Sequence, residues 1–146
     1  MAAVQVRDIL DSIAGFYRRL SELCTTARQN TQGERLPYLL EYIAAHELQL
    51  ATSVEQFEET AESGLLDTWL QFGADESLDG ILAQLNIQSD MPEDDIVREV
   101  LNVDSKLIAL YEALAGETSS PHVEELFEGL AQMQEARERQ LARAAR

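Results

Sequence analysis

Apolar residues recur every three or four positions along four segments of the chain, and this spacing predicts four helices. The segments run from about Val4 to Gln29, from Pro37 to Ala61, from Asp90 to Gly116 and from Ser120 to Leu141. Two of them begin at a residue that can cap free backbone amides, since Asp90 and Ser120 both carry a side-chain oxygen. A chain dominated by this period is expected to be all-α.

The connections between the segments indicate how the helices are arranged. The first and second segments, and the third and fourth, are joined by only a few residues, so each pair is predicted to form an antiparallel hairpin. The stretch from about residue 64 to residue 91 is longer, and Gly73 and Gly80 interrupt its short apolar pieces. We predict a crossover there with one or two short helices. Two hairpins joined by one long crossover are the wiring of a ferritin-like four-helix bundle, so residues 1–146 are predicted to form one such domain.

The charge of the chain limits the partners that it can bind. Its 146 residues include 11 Lys and Arg against 27 Asp and Glu, which gives a formal net charge of −16. Such a chain is repelled by nucleic acid and by anionic membranes, so neither is expected as a partner. The segment 36–97 holds 14 acids and no Lys or Arg. Its helical acids, among them Glu41, Glu47, Glu55 and Glu58, are predicted to form a solvated face.

Cysteine and aromatic residues add two smaller expectations. Cys24 has no cysteine partner in the chain and is predicted to be a buried structural thiol. A lone cysteine fits a reducing compartment, and no stretch approaches the roughly 20 apolar residues of a membrane span, so a cytoplasmic location is expected. Trp69 and Phe72 are expected to pin the crossover to the bundle.

Parts of both hairpins resemble a known family. The run from Asp104 to Ala115, followed by the run from Val123 to Ala131, resembles the rubrerythrin branch of the ferritin-like superfamily. In that branch a Glu precedes a Phe-Tyr pair by six and seven residues, and a Glu-Leu-Phe-x-x-Leu-Ala run leads to a Glu-x-x-His motif. The first hairpin is similar through Phe16-Tyr17 and the run from Tyr38 to His46. The resemblance implies a di-iron site inside the bundle, used for peroxide reduction, oxygen chemistry or iron oxidation.

The residues at the six ligand positions that the resemblance implies do not make that site. They are Leu10, Ile43, His46, Asp104, Gln134 and Arg137. One of the expected ligands is kept, as His46, and one is conservatively replaced, by Asp104. Arg137 cannot lose its proton and would oppose a bound cation. We therefore expect no metal, and if one binds we expect His46 and Asp104 to hold it.

Two arrangements of the polar residues on these helix faces are open. In one, Asp104, Arg137, His46 and Gln134 form a polar cluster inside the bundle, because unpaired charges on apolar faces would be costly. In the other, Arg137 extends to the surface and Asp104 is only partly buried. His46 itself is expected to be a core histidine that a polar neighbour satisfies, in preference to a surviving metal ligand.

These observations favour a ferritin-like bundle that has lost its di-iron centre. We predict a non-enzymatic interaction or structural protein that forms a homodimer and binds a protein partner that the sequence does not identify. The alternative is a divergent metal-binding protein, a rubrerythrin-type oxidoreductase or an iron-handling protein, that holds iron or manganese through a non-standard ligand set. A third possibility is a carrier for a small apolar ligand, in a cavity lined by Leu10, Ile43 and Ile108.

Overall fold

The computed structural model describes residues 2–30, 35–72, 78–88 and 91–144. Four long helices account for most of it, and each corresponds to one of the four predicted segments. In chain order the elements are β1 (Ala2–Gln5), α1 (Val6–Asn30), α2 (Arg35–Thr60), α3 (Ser63–Leu66), β2 (Trp69–Phe72), α4 (Leu78–Gln84), α5 (Glu93–Glu117) and α6 (Pro121–Ala144). The prediction of an all-α bundle is confirmed, with a small β-ribbon that the sequence pattern did not predict.

The long helices begin close to the residues that the sequence indicated. At the start of α6, the hydroxyl of Ser120 accepts a hydrogen bond from the backbone N–H of Val123 at 3.4 Å, which satisfies one of the free amides of the first turn. Helix α5 differs, because Pro92 stands at its cap in an extended conformation and provides no side-chain hydrogen bond. Asp90, the predicted cap, lies outside the described residues.

The first two long helices form one hairpin and the last two form the other. In the first hairpin the hydroxyl of Ser21 donates a hydrogen bond to the carbonyl of Ala44 at 2.8 Å, so α1 and α2 approach closely at that level. An ion pair between Arg18 and Glu55 links the two helices on the solvent side. None of the described helices is long and apolar enough to cross a membrane.

The described residues of the crossover form two short helices, α3 and α4, with the strand β2 between them. Strand β2 pairs antiparallel with β1, and the register places Val4 opposite Leu70. Leu70 is buried against the bundle, whereas Trp69 is 64% exposed. Successive strand residues face opposite sides, so only one of these two neighbours can face the core. The expectation that Trp69 pins the crossover is therefore wrong, and the side chain of Phe72 lies outside the described part of the chain.

The interior of the bundle contains two apolar clusters. The larger cluster gathers the buried apolar residues within 6–20 of α1, 50–54 of α2, 103–115 of α5 and 123–131 of α6, together with residues of the crossover such as Leu70. The smaller cluster contains Cys24, Ala27, Leu141 and the buried apolar residues within 39–44 of α2 and 96–100 of α5. Leu10 belongs to the larger cluster and Ile43 to the smaller one. The groove that Leu10 lines includes neither Ile43 nor Ile108, so it is not the cavity that the ligand-carrier hypothesis expected.

A buried polar layer as the candidate functional site

A layer of polar side chains separates the two apolar clusters. Glu47, Asp104 and Gln134 are fully buried, and Arg137 is 3% exposed. On each helix these residues stand between members of the two clusters, as Glu47 does between Ala44 and Leu50. The hydroxyl groups of Tyr17 and Tyr111 join them by hydrogen bonds. We call these residues the polar layer: Tyr17, Glu47, Asp104, Tyr111, Gln134 and Arg137.

Arg137 is the cation of the polar layer. Its Nη2 forms an ion pair and hydrogen bond with Oε1 of Glu47, and its Nη1 lies 3.8 Å from Oδ2 of Asp104. One guanidinium from α6 therefore contacts a carboxylate from α2 and another from α5. Isolated charges are very costly to bury, so this pairing explains how three ionisable groups can share an apolar interior.

Gln134 connects the carboxylate of Asp104 to the two tyrosines. Its Nε2 donates to Oδ1 of Asp104 at 2.7 Å, and its Oε1 accepts from the hydroxyl of Tyr17 at 2.7 Å. The hydroxyl oxygens of Tyr17 and Tyr111 are also 2.7 Å apart. Because the hydrogen of Tyr17 points to Gln134, Tyr111 donates to Tyr17. The result is a continuous chain of hydrogen bonds across three helices.

The hydrogen-bonding capacity of the polar layer is not fully used. Within the described residues, Glu47 Oε2, Asp104 Oδ2 and Arg137 Nε are buried without a hydrogen-bond partner. Leaving a buried polar atom unpaired typically costs about 1–3 kcal/mol. The polar layer is therefore an energetically expensive part of the core, held in place by the apolar clusters on both sides.

Burial changes the proton affinity of the two carboxyl groups. It raises the pKa of Asp104 to about 7, because the opposing attraction of Arg137 does not offset the loss of water. Burial also raises the pKa of Glu47, again against the attraction of Arg137. For Arg137 itself, Glu47 and Asp104 outweigh burial and raise the pKa. Near neutral pH, Asp104 is therefore a group in the polar layer that can gain or lose a proton.

The remaining titratable groups in this region stay neutral. Burial raises the pKa of both Tyr17 and Tyr111, so the phenols keep their protons. Burial also raises the pKa of Cys24 to about 12, so its thiol is unreactive, in agreement with the predicted structural role. The pKa of His46 is lowered, first by burial and then by the positive charge of Arg137.

The structure brings together three of the six residues singled out in the sequence. Asp104, Gln134 and Arg137 lie in the polar layer, and Arg137 does not extend to the surface. His46 is only partly buried, at the edge of the bundle, where its ring lies 4.3 Å from that of Tyr42. Leu10 and Ile43 are buried in the clusters on either side of the layer. Whether the six positions correspond to inherited ligands stays a prediction.

Three members of the polar layer were not predicted from the sequence. Glu47 was assigned to a solvated face, which is wrong, because it is fully buried. On α2 both His46 and Glu47 fit the helical spacing between Ile43 and Leu50. Because Glu47 is charged, it was assigned to the solvent side and His46 to the core. Tyr17 and Tyr111 entered only through the runs that resemble the family, and a tyrosine on an apolar helix face usually contributes packing alone.

The donor set of the polar layer limits its chemistry. Among the described side chains, no group of three or more His, Cys, Asp or Glu residues could hold a metal ion. The layer offers two carboxylates, an amide, two phenols and a guanidinium, and the guanidinium occupies the space between the carboxylates. This arrangement can hold a proton at Asp104 and can bind a cation only if Arg137 is displaced.

The fold has a counterpart among solved structures. No protein-family model and no curated protein matches the chain. A crystal structure from Thermotoga maritima, of a protein assigned to the ferritin-like diiron-carboxylate class, is similar with a TM-score of 0.59 and 15% identity. The match covers 99% of this chain and 97% of that chain. The fold is therefore ferritin-like, as predicted, while so low an identity does not distinguish the rubrerythrin branch from other branches.

Proposed function

We propose that this chain is a ferritin-like bundle without a di-iron centre, and that it acts as a non-enzymatic structural or interaction protein. One observation carries the proposal: the guanidinium of Arg137 lies between the carboxylates of Glu47 and Asp104. The positive charge that a metal would bring to a carboxylate site is supplied here by a side chain. The T. maritima protein is described as a diiron-carboxylate protein, and the polar layer of this chain does not fit such a group.

The polar layer does not match the needs of a di-iron centre, either in its charge or in the types of ligand that it offers. Two iron ions require several converging carboxylates, usually with histidines, and the layer provides two carboxylates. A fixed guanidinium within contact distance of both carboxylates repels a cation and competes for the same oxygens. His46 is only partly buried, with its ring against that of Tyr42, and is not a member of the polar layer.

A role through the surface is supported by side chains that the bundle leaves in water. Leu23, Leu48, Tyr38, Phe57 and Trp69 are all large, apolar or aromatic, and at least 36% exposed. The aromatic residues among them, Tyr38, Phe57 and Trp69, are of the types enriched at protein interfaces. The proposal includes a homodimer, and sedimentation equilibrium at physiological salt would give its mass directly.

Metal content tests the proposal. The protein would be expressed with iron or with manganese supplied, dialysed and analysed for metal per chain by mass spectrometry. We expect a folded protein with metal well below one ion per chain. A matched variant, Gln134→Glu with Arg137→His, replaces the cation with the Glu-x-x-His spacing, and we expect it to retain more metal than the wild type. Stoichiometric metal in the wild type that survives dialysis would refute the proposal.

The alternative of a divergent metal-binding protein has one observation in its favour. Glu47 Oε2 and Asp104 Oδ2 are buried oxygens without a hydrogen-bond partner in the described structure. If Arg137 turned away, these oxygens could bind a small cation such as Mn²⁺ or Fe²⁺. The same measurement separates the two functions, because the alternative requires the wild type to retain iron or manganese.

A further inference from the structure

A wide groove lies at the seam between the two hairpins, away from the polar layer. It has a volume of about 790 Å³ and runs between the second half of α2 and the first half of α6. Leu10 of α1 forms part of its floor, and Leu65 of α3 lines one side. Small-molecule sites in proteins usually measure about 300–1,000 Å³, so the groove has the size of such a site.

The groove exposes apolar side chains that a ligand could cover. Phe57 of α2 is 36% exposed, and Leu65, Leu126 and Met133 are only partly buried. All four line the groove. Apolar surface in water is unfavourable, and a concave apolar surface is where a ligand with an apolar body gains most from leaving water.

Gly129 is a groove-lining residue that has no side chain. It stands in the interior of α6 and lines the groove, and a Cβ built on it would meet no atom within 4 Å. Glycine in a helix interior is less stable than alanine, so the helix accepts a loss of stability at this position. Because Gly129 lines the groove and a Cβ there would have open space around it, we expect a larger side chain at this position to occupy part of the groove.

The charges around the groove have one sign. Glu62 and Glu125 line it, together with His122 and small hydroxyl residues, and no Lys or Arg is among its described lining residues. The chain as a whole carries a formal charge of −16. An anionic ligand would be repelled here, whereas a cationic head could sit beside the two carboxylates while its apolar body fills the groove.

We propose that this groove binds a small amphiphilic organic cation, that is, an alkyl or aryl body that carries one ammonium group. The apolar lining recognises the body, the open space beside Gly129 admits it, and Glu62 and Glu125 recognise the head. The inference is independent of the proposed loss of a metal centre, because the groove and the polar layer share no residue.

Three ligands of equal chain length test the head and the body separately. Decylammonium, decan-1-ol and decanoate would be titrated into the full chain by calorimetry, each below the concentration at which it forms micelles. We expect one decylammonium per chain, with decanol about tenfold weaker and decanoate weaker still. Equal affinity for decylammonium and decanoate would overturn the proposed recognition of the head.

Substitutions at Gly129 separate groove binding from general attraction to an acidic protein. Gly129→Leu leaves the net charge unchanged and fills the groove, so decylammonium binding should be lost. Gly129→Ala adds one methyl group and should keep most of the binding while the helix gains stability. If Gly129→Leu, folded by circular dichroism, still bound decylammonium like the wild type, the groove would not be the site.

Two further experiments test what occupies the groove. Glu62→Gln with Glu125→Gln should bring the affinity for decylammonium down toward that for decanol while leaving decanol binding unchanged. Sedimentation of the wild type and of Gly129→Leu tests a second copy of the chain as the occupant. A dimer that Gly129→Leu dissociates, with no uptake of decylammonium by the wild type, would overturn the proposal in favour of an interface between copies.

Discussion

Arg137 provides the positive charge that allows Glu47 and Asp104 to be buried in the bundle. The three groups lie within contact distance across three helices, and all are almost completely shielded from water. Removing the cation would leave two carboxylates in an apolar interior without a counter-charge. The stability of the core therefore depends on the charge of Arg137 more than on the contacts that its side chain makes by packing.

We predict that Arg137→Met destabilises the protein by about 3–5 kcal/mol, because breaking a buried charge pair leaves uncompensated charge behind. Urea unfolding followed by circular dichroism measures the change. Arg139→Met is the matched control, since Arg139 is exposed on the same helix and its loss should cost little. Equal losses in the two variants would contradict the described role of Arg137.

Asp104 should give the protein a pH-dependent stability. Its pKa is raised from an ordinary 3.8 to about 7 in the folded state. Between these values the folded chain binds a proton more tightly than the unfolded chain, so its contribution to stability is present at low pH and is lost as pH rises from about 4 to about 7. Arg137, Glu47 and Glu138 act on the same carboxyl group.

Asp104→Asn should remove that part of the pH dependence, since the amide does not ionise. Free energies of unfolding measured between pH 4 and pH 8 should fall less steeply with pH in Asp104→Asn than in the wild type. Asp94→Asn serves as the control, because it makes the same chemical change at an exposed position of α5. If the free energy of unfolding of Asp104→Asn fell with pH as steeply as that of the wild type, Asp104 would not be the group whose proton is lost between pH 4 and pH 7.

The members of the polar layer differ in how well the sequence identifies them, and the reason is found in single residues. Asp104, Gln134 and Arg137 were singled out because the resemblance places them at ligand positions, and Asp104 and Arg137 also interrupt otherwise apolar helix faces. Glu47 could not be singled out, because both it and His46 fit the helical period between the same apolar neighbours. Which of these two adjacent residues faces the core depends on how far α2 is rotated about its own axis. The apolar period alone determines that rotation only to within about one residue position.

At the scale of the element, the ribbon of β1 and β2 fastens the crossover to the start of the bundle. Its strands are four residues each and are far apart in the chain, with Ala2 opposite Phe72. So short a strand contains too few residues to show a period of two, and a partner more than sixty residues away leaves no local signal. The long helices could be predicted because their pattern repeats over many turns.

The ribbon predicts unequal losses of stability for substitutions at two neighbouring residues. Leu70→Ala should destabilise the protein by about 2–5 kcal/mol, because Leu70 packs into the larger apolar cluster. Trp69→Ala should change stability by less than about 1 kcal/mol although it removes a larger side chain, since Trp69 is mostly in water. Thermal unfolding of the two variants tests the register, and a larger loss for Trp69→Ala would contradict it.

Gly129 gives a second prediction at this scale. Gly129→Ala should stabilise the protein by about 0.5–1 kcal/mol, because the position is in the interior of α6 and the new methyl group meets open space. Gly116→Ala should have a smaller effect, as Gly116 stands in the last turn of α5. Chemical unfolding of both variants gives the comparison, and a destabilised Gly129→Ala would mean that the groove wall is closed in solution.

At the scale of the whole molecule, the uneven distribution of charge along the sequence is partly compensated in space. The arginines of α1 reach acids of the segment 36–97: Arg7 pairs with Asp67, Arg18 with Glu55, Arg19 with Asp79 and Arg28 with Glu41. All four pairs are largely exposed, so each contributes little to stability. A large excess of negative charge remains on the surface.

We therefore predict that added NaCl stabilises the protein. Screening weakens both the exposed ion pairs and the general repulsion between acids, and with a formal charge of −16 the repulsion is the larger effect. Melting temperatures measured from low to physiological salt should rise. The rise should be steeper for Arg18→Gln, which makes the chain more negative, and shallower for Glu59→Gln. A melting temperature that falls with salt would show that the ion pairs dominate.

The polar layer also determines how the two hairpins align along the bundle axis. The apolar stripes repeat at every helical turn, so they would accept a shift of one turn, about 5.4 Å, with similar packing. Glu47, Asp104 and Arg137 come from α2, α5 and α6, and a shift of any one of these helices would leave a charge facing an apolar cluster. Only one alignment keeps the three charges together, so these residues select a single vertical register from several that the apolar residues alone would allow.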